Sequence, residues 1–420
     1  NMTDYCHQFV LRHDIPMLTN EQVNRITKTS DGKFLVSTSS QELYAQKLIV
    51  ATGNHKEFIP CIRGIELTSS YVNIVHDPAK YRNKRVLIIG KGNTGTETAN
   101  MMLGTAVSIH MISPSPMKFA WDSNFPGNVR AVNMTFLDSC LLSRDNMLRN
   151  GTIERIYKTS NGTLKAEIID LYRRSVDEYD EIINCTGFRF DDSIFDESCK
   201  PELVHENRLL HMTNCFESVN VPGLYFAGAL TSSRDFKVSS SAFIHGFRYN
   251  SRALARYLNL VDKQIPWPFS RIEWRKEAAN EFDYLARTIL HRADTASALW
   301  HLLGVMCDLF CIPQSHNHSN AVIHIPEVPS GMLETTELLK HQQLSGFAII
   351  QLTLEVNKQD SSSTFTKKNM PHARIRLRPD TFVTCLESKH LQISNEGNIN
   401  KLAAALAVAV GSETIKPAKL

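Results

Sequence analysis

Three glycines at one spacing are the clearest sign of chemistry in the sequence. In the run R-V-L-I-I-G-K-G-N-T-G, Gly90, Gly92 and Gly95 directly follow an apolar strand and open a helix. The first glycine permits a tight turn, the second lets the backbone approach a pyrophosphate, and the third lets the helix pack closely on the strand. The helix N-terminus favours an anion. The pattern predicts a dinucleotide site that includes Asn93 and Thr94, with a structural βα turn as the alternative.

The next apolar run, residues 106–113, bears on which dinucleotide this turn binds. An Asp or Glu at the end of that strand would accept the ribose 2′-hydroxyl and indicate NAD. The strand instead ends at Ser113 and Pro114, and the missing carboxylate favours NADP over NAD. The arginine that often binds a 2′-phosphate is absent as well. Lys118 is a candidate substitute, and an ordinary surface lysine is an equally good interpretation.

One short pattern occurs twice. R-I-T-K-T-S-D-G at 25–32 and R-I-Y-K-T-S-N-G at 155–162 both read as a strand that enters a tight hairpin turn. Asp-Gly and Asn-Gly favour such turns because both central residues need a positive φ. Each copy is followed by an apolar run that ends in Thr-Gly, at 48–53 and at 182–187. The layout predicts two three-stranded meanders, each of which leads into a buried parallel strand.

A third apolar run, V-P-G-L-Y-F-A-G at 221–228, predicts another buried strand with small residues at its end. A serine-rich loop follows and leads into an amphipathic helix over 242–258. The expected N-cap of this helix is Ser239, Ser240 or Ser241, because serine oxygens accept the free N–H groups of a first turn. Without further signals, this strand, loop and helix would be only a packing unit.

The composition changes after Leu260, where the Pro-Trp-Pro sequence at 266–268 indicates a domain boundary. Beyond it, the residues from about 272 to 310 are predicted to be helical. Two later runs, 347–356 and 373–378, are predicted to be strands. The sequence therefore predicts a C-terminal α+β module, and no catalytic group stands out within it.

Composition narrows the possible functions. With 46 Lys and Arg against 43 Asp and Glu, the net charge is +3, and no basic run exceeds two residues. Because nucleic-acid-binding surfaces are usually basic stripes, we expect no nucleic-acid partner. The apolar run at 402–410 is too short to cross a bilayer, so no transmembrane segment is predicted. The nine cysteines include no C-x-x-C pair, which argues against a dithiol relay, and we expect no metal site.

Together these motifs resemble the two-dinucleotide-binding flavoproteins, among them the flavin-containing monooxygenases. G-K-G-N-T-G resembles their nicotinamide-nucleotide turn, and L-I-V-A-T-G, I-I-N-C-T-G-F and V-P-G-L-Y-F-A-G resemble the exit, return and late strands around their FAD domain. The resemblance implies a Rossmann-like α/β fold with β-meanders. Its implied parts are a partial FAD-binding domain at 1–60, an NAD(P)H-binding domain at 61–188, a return segment of the FAD-binding domain at 189–260 and the C-terminal α+β module at 261–420. Because no glycine turn precedes the first meander, we expect an N-terminally incomplete FAD-binding domain.

The resemblance also assigns cofactors and residues. FAD and NADP are the implied cofactors. Beyond the glycine turn, the implied cofactor-binding residues are Lys118, Thr52, Gly53, Gly187, Gly228, Ala229, Gly246 and Arg248. His245, in the first turns of the late helix, is the implied catalytic residue, since it would lie close enough to tune the flavin or move a proton. A packed histidine, and for Arg248 a surface salt bridge, are the alternatives.

The implied function is an FAD- and NAD(P)H-dependent oxidoreductase of the endoplasmic reticulum (ER) lumen, linked to the degradation of misfolded glycoproteins. Its implied partners are the nicotinamide nucleotide and ER quality-control proteins, and the alternative is a non-catalytic adaptor that retains the fold. N-x-[ST] sequons occur at Asn1, Asn133, Asn150, Asn161, Asn184 and Asn317. Asn184 lies in an apolar strand and is expected to be inaccessible. The final Ala-Lys-Leu at 418–420 resembles a peroxisomal address, which makes the peroxisome the alternative location.

Overall fold

The chain folds into an N-terminal meander, a seven-stranded sheet, a return segment and a C-terminal sheet module. The computed structural model describes residues 1–123, 125–142, 147–170, 173–273, 281–313, 321–332, 338, 347–355, 372–378, 382–386 and 396–409. The first part contains α1 (Met2–Arg12), β1 (Val23–Lys28), β2 (Phe34–Thr38), β3 (Glu42–Ala45), β4 (Leu48–Val50) and β5 (Lys56–Glu57). Strands β1, β2 and β3 form the predicted antiparallel meander.

The seven-stranded sheet carries the glycine turn. Its elements are β6 (Ser69–Ser70), β7 (Arg85–Ile89), α2 (Asn93–Met102), β8 (Ser108–Ser113), α3 (Ala120–Ser123), α4 (Thr135–Leu142), β9 (Leu148–Lys158), β10 (Leu164–Asp170), β11 (Arg174–Tyr179) and β12 (Glu181–Asn184). The strand order is β11-β10-β9-β8-β7-β12-β6. Strands β8, β7, β12 and β6 run parallel, β9 starts parallel to β8, and β9, β10 and β11 form the predicted second meander. The carboxyl ends of the parallel strands therefore meet at one edge, beside the glycine turn.

The two hairpin turns repeat in geometry as well as in sequence, although their predicted backbone was wrong in detail. Only the glycine of each pair has a positive φ, +83° at Gly32 and +87° at Gly162, whereas Asp31 and Asn161 do not. Gly32 N donates to Thr29 O at 2.9 Å, and the second copy repeats this bond at 3.0 Å. Both loops are therefore one residue longer than a two-residue turn and end in a left-handed glycine, which is the next most common hairpin connection.

The return segment brings the chain back to β4. It contains β13 (Phe188–Arg189), β14 (Leu203–Val204), β15 (Leu209–Leu210), β16 (Leu224–Phe226) and α5 (Ile244–Lys263). Strand β16 pairs in parallel with β4, and β13 pairs with β5. The segment that leads into the seven-stranded sheet and the segment that returns from it, which we call the return crossing, therefore lie side by side. The predicted serine N-cap of α5 was wrong: Phe243 is the N-cap residue and makes no side-chain cap bond. Instead, the Ser239 hydroxyl and the Ser241 backbone N–H donate to the Asp235 carboxylate.

The C-terminal module is a mixed helix and sheet structure, as predicted. It contains β17 (Ser270–Glu273), α6 (Glu281–Thr295), α7 (Ser297–His301), β18 (Met306–Pro313), β19 (Ala321–Pro329), β20 (Phe347–Glu355), β21 (His372–Arg378), β22 (Phe382–Leu386) and α8 (Glu396–Ala409), with strand order β17-β19-β18-β20-β21-β22. The helical prediction over 272–310 was wrong at both ends, where β17 and β18 form. Every residue of β18 is buried, so its apolar run carries no alternation that would distinguish strand from helix.

One hydrophobic core joins the C-terminal module to the meander and the return segment. Phe34 and Phe226 belong to the same cluster of buried side chains as Phe310 and Leu406. The seven-stranded sheet has clusters of its own, one against each face. The C-terminal module is thus packed onto the β4–β16 half of the molecule.

A buried carboxylate organises the module. Asp308, on β18, is completely buried and accepts hydrogen bonds from Arg292 Nε at 2.8 Å, His324 Nε2 at 2.9 Å and the Glu327 backbone N–H at 2.9 Å. Burial alone would raise the pKa of Asp308, but the His324 hydrogen bond and the positive charges of Arg292 and His324 outweigh it and lower that pKa.

The same part of β19 ties the module to α5. Glu327 has a φ of +59°, and its carboxylate accepts hydrogen bonds from Arg252 at 2.6 Å and Arg256 at 3.1 Å, both on α5. One residue earlier, the Pro326 carbonyl accepts a hydrogen bond from Trp267 Nε1 at 3.0 Å. Asp308 therefore fixes, through the Glu327 N–H, the part of β19 that holds the module against this helix.

We expect Asp308→Asn to lower the free energy of unfolding by about 3 kcal/mol, since it removes the buried carboxylate that pairs with the partly exposed Arg292 and His324. Because the folded-state pKa of Asp308 is lowered, its contribution is complete above the ordinary carboxyl pKa and is lost as the pH falls through the folded value. The wild-type protein should therefore lose more stability on acidification than the variant does. Urea unfolding followed by circular dichroism at neutral and acidic pH measures both effects.

A matched surface substitution is the control. Arg174→Ala removes the exposed ion pair with Glu154 and should cost under about 1 kcal/mol. Equal losses from Arg174→Ala and Asp308→Asn would contradict the assigned role of Asp308.

Candidate functional site

Two of the three glycines are required by packing. Gly90 has a φ of +117°, and a methyl group there would lie 2.3 Å from the Cys185 carbonyl oxygen. A methyl group at Gly95 would lie 2.6 Å from the Gly90 carbonyl oxygen and 2.9 Å from the Met111 side chain. These contacts hold the turn against the end of β12 and the helix against the turn.

Gly92, in contrast, faces open space. A methyl group there would meet no atom within 4 Å, and Gly92 is the N-cap of α2 without a side-chain cap bond. Thr94 lies half-buried in the first turn of the same helix. A phosphate approaching the Gly92 backbone would meet the N–H groups of this first turn, which no side chain caps. The residues present therefore fit the pyrophosphate of a dinucleotide.

The side chain of Asn93 is already occupied. Its Nδ2 donates to the carbonyl oxygens of Gly127, at 3.2 Å, and Asn128, at 2.8 Å. Its Oδ1 accepts hydrogen bonds from the Arg130 backbone N–H at 3.1 Å and from Asn133 Nδ2 at 2.9 Å. The side chain thus holds the neighbouring loop in place, which leaves the backbone of Asn93 for a ligand.

Sequence reasoning missed Lys91, between the first two glycines. Lys91 is only 7% exposed, and its Nζ donates to the Arg149 carbonyl oxygen at 2.9 Å and to the Asn150 side-chain oxygen. Burial lowers the pKa of Lys91 to about 8. The available signal was a charged residue between the first two glycines of the turn. Lys118, the residue we singled out instead, is exposed on the loop after β8.

The predicted FAD residues lie at two adjacent strand ends. Val50 of β4 stands opposite Phe226 of β16 in parallel register, so the segments 52–53 and 228–229 lie next to each other. The segment after β4 contains Thr52 and Gly53, and the segment after β16 contains Gly228 and Ala229. Gly53 and Gly228 have φ values of +74° and +64°, and a methyl group at either would meet nothing within 4 Å. This open pair of backbone turns fits one side of a bound FAD.

Gly187 lies on the return crossing and contacts an arginine. A methyl group at Gly187, where φ is +89°, would lie 3.1 Å from Arg208 Nη2. That nitrogen donates to the Thr186 carbonyl oxygen at 3.2 Å, and the guanidinium lies 4.2 Å from the centre of the Phe58 ring. Burial lowers the pKa of Arg208. Gly187 thus leaves room for a guanidinium at the boundary between the two sheets.

The imidazole of His245 lies against a second imidazole, that of His301, which the sequence did not predict. Its ring stacks on Phe243 at 5.7 Å and meets the His301 ring edge-on at 4.9 Å. His301 belongs to α7 in the C-terminal module. Burial lowers the pKa of His301, and the neighbouring charges of His245 and Arg248 lower it further. No local pattern marks His301, because its role depends on how the module packs onto α5.

The other two predicted residues of α5 have packing roles. A methyl group at Gly246 would lie 2.0 Å from the Ser240 carbonyl oxygen, so this glycine lets the serine loop approach the helix. Arg248 Nη2 donates to the Tyr249 hydroxyl at 2.8 Å, and its guanidinium lies over that ring. Among the described residues, no carboxylate forms the surface salt bridge that was the alternative for Arg248, and its role in binding a cofactor stays a prediction.

A cavity of about 150 Å³ lies between the two halves of the molecule. Asn54 and Asp235 line it from the FAD side, and Phe125 and Phe188 line it from the side of the seven-stranded sheet and the return crossing. The buried Asn54 Oδ1 has no hydrogen-bond partner within the part of the chain that the structure describes. Burial raises the pKa of Asp235 against the opposing hydrogen bonds from Ser239 and Ser241. A polar ligand in this cleft would therefore find both an acceptor and a carboxyl group.

The fold is that of an α/β two-dinucleotide-binding flavoprotein, as predicted. It is defined by two meanders, by two parallel strands that each lead into Thr-Gly, and by one glycine turn. The chain belongs to the pyridine nucleotide-disulphide oxidoreductase family, whose model matches residues 1–228. Members of this family bind FAD and NAD(P)H.

Individual proteins are also similar to this chain. FAD-dependent oxidoreductase domain-containing protein 2 of Danio rerio is 29% identical over 370 residues, covering 77% of this chain and 52% of the relative. The Mus musculus protein of the same name is 28% identical over 372 residues, covering 81% and 54%. The chain thus spans about half the length of these curated relatives. Among solved structures, a flavin-containing monooxygenase from Stenotrophomonas maltophilia has a TM-score of 0.48 at 19% identity, covering 61% of this chain and 76% of its own.

The helices of the structure bear on the prediction that the chain has no transmembrane segment. Among the helices in the described ranges, none is long and apolar enough to cross a bilayer.

Substitutions at Gly92 and Gly95 should separate binding from folding. Gly92→Ala places a methyl group where a phosphate would lie, so we expect nicotinamide-nucleotide binding about ten- to a hundredfold weaker, from lost charge-assisted hydrogen bonds, with an unchanged melting temperature. Gly95→Ala should instead cost about 1–3 kcal/mol of stability, because its methyl group overlaps the Gly90 carbonyl. Isothermal titration and thermal melts measure the two effects. Unweakened binding in folded Gly92→Ala would show that the nucleotide does not use this turn.

Proposed function

We propose that the protein is an FAD- and NADPH-dependent oxidoreductase of the flavin-containing monooxygenase type. The observation that carries the proposal is that each of the two expected dinucleotide sites has glycines whose backbone is open to a ligand. Gly92 opens the turn of one sheet to a ligand, and Gly53 with Gly228 opens the strand ends of the other. The absence of a C-x-x-C pair from the nine cysteines favours this reaction class over a dithiol reductase.

Bound FAD would supply hydride and electron transfer with the nicotinamide, and the chain would supply position and electrostatics. The first turn of α2 would bind the pyrophosphate of the nicotinamide nucleotide. Backbone amides at Gly53 and Gly228 would approach the flavin cofactor. The N-terminus of α5, which no side chain caps, would stabilise negative charge, and the His245 imidazole would hold or move a proton beside it.

The visible absorption spectrum of the purified chain tests this proposal. We expect bound-flavin bands that bleach when NADPH is added without oxygen and return when oxygen is admitted. As the matched variant, Gly92→Ala should retain the flavin bands but bleach more slowly at limiting NADPH. A folded protein without flavin bands, even after incubation with FAD, would contradict the enzyme and favour the adaptor alternative.

We further propose that the protein works in the ER lumen, in the quality control and degradation of glycoproteins, with ER quality-control proteins as partners. Asn161 supports this location, because its sequon lies in an exposed hairpin turn. Asn184, in contrast, is 2% exposed, as expected, and Asn133 is 4% exposed. The Ala-Lys-Leu at 418–420, which makes the peroxisome the alternative, and the sequon at Asn317 lie outside the described residues.

Asn161→Gln should remove one N-linked glycan from the protein expressed in eukaryotic cells, whereas Asn184→Gln should remove none. Glycosidase-sensitive mobility on a gel and peptide mass spectrometry provide the measurement, and microscopy of the tagged protein reports the compartment. A peroxisomal signal, or an unmodified Asn161, would contradict the proposed location.

A further inference from the structure

Lys91 is a buried cation without a counter-ion. Its ammonium carries three N–H donors, and two of them bind neutral oxygens, the Arg149 carbonyl and the Asn150 side chain. No carboxylate of the described residues forms an ion pair with it, and no described acceptor takes the third N–H. Such a group is costly to bury, because its charge has lost water without gaining an opposite charge.

Its neighbour Arg149 shows the usual solution. The Arg149 guanidinium is 2% exposed, and it is paired with Asp170 at 2.8 Å and with Asp177. Those carboxylates face Arg149, and the Lys91 ammonium lies instead against the Arg149 backbone oxygen. Two buried cations thus lie close together, and the carboxylates of the described residues neutralise only Arg149.

The position of the Lys91 ammonium identifies the missing partner. The Gly90 N–H donates to the Ile112 carbonyl oxygen at 2.8 Å, which places the glycine turn beside the end of β8. Asn150, which accepts from Lys91, stands opposite Ser113, the last residue of β8. In a nucleotide held by such a glycine turn, the adenosine ribose lies at the end of this second strand. The buried ammonium is therefore close to the ribose 2′ position.

We propose that Lys91 determines the preference of this chain for NADPH by pairing with the ribose 2′-phosphate. This inference rests on the proposed function, because it assumes that a nicotinamide nucleotide binds the glycine turn. Ser113 stands where a carboxylate would select NAD, so no like charge repels the phosphate there. A 2′-hydroxyl would leave the ammonium without an opposite charge, whereas a 2′-phosphate provides one together with acceptors for the third N–H. Lys118, exposed on the following loop, is not required for this role.

Binding titrations of NADPH and NADH on wild-type, Lys91→Met and Lys91→Arg proteins test the inference. We expect Lys91→Met to bind NADPH about ten- to a hundredfold more weakly, the effect of one charged hydrogen bond, with NADH affinity within about twofold of wild type. Lys91→Arg keeps the charge and should retain most of the NADPH preference. A Lys91→Met protein that loses both nucleotides equally would overturn the proposal and leave Lys91 as a structural strap.

Asn150→Ala provides the matched control, because it removes a partner of the strap while the ammonium stays. We expect it to affect both nucleotides alike and to preserve the NADPH preference. If Lys91→Met does not fold, competition on the wild-type protein decides: 2′,5′-ADP should displace bound nucleotide at lower concentration than 5′-ADP. Equal displacement would overturn the assignment of a 2′-phosphate site.

These outcomes are separable from the proposed function. A protein that prefers NADPH through Lys91 but never binds flavin would support the inference and contradict the enzyme. A flavoprotein that binds NADH and NADPH equally would support the enzyme and contradict the inference about Lys91. Failure of the wild-type protein to bind either nucleotide would overturn both.

Discussion

The candidate site depends on the close approach of two backbone segments. The turn after β7 lies against the Cys185 carbonyl at the end of β12, and only a glycine fits at position 90. This contact fixes where α2 starts, and therefore where its free N–H groups point. It also places the glycine turn beside the crossing at Gly187, which returns the chain to the FAD side. The same backbone contact thus positions the nucleotide turn and connects the two halves of the molecule.

Local signals predicted what depends on local structure. The glycine turn, the two meanders and the strands that end in Thr-Gly follow from residues a few positions apart, and the structure confirms them. The prediction failed where long-range packing decides the outcome. Strand β18 is buried on both faces and therefore carries no period of two, and the serines before α5 bind Asp235 instead of the helix. His301 reaches His245 only because the C-terminal module folds back onto α5.

The C-terminal module is part of the architecture of the flavin side rather than an appendage to it. It shares one hydrophobic core with the β4–β16 pair, and its Glu327 carboxylate binds two arginines of α5. The uncapped N-terminus of that helix follows directly on Ser239 and Ala242, which line the cavity. The orientation of α5, and with it the direction of its dipole, is therefore held partly by residues that the family model does not cover.

Asp308 and Lys91 are both buried charges, but only Asp308 is paired with opposite charges of the described residues. This difference indicates a structural role for Asp308 and a ligand-binding role for Lys91. Asp308 is enclosed by Arg292, His324 and a backbone N–H, so its charge is balanced by groups of the protein itself. Lys91 is also buried, but the described groups that bind its ammonium are neutral oxygens. Burying an unpaired charge lowers stability, and an apolar residue of similar length would fill the same space at less cost. The positive charge in the glycine turn is therefore best explained by an anion that arrives with the bound nucleotide.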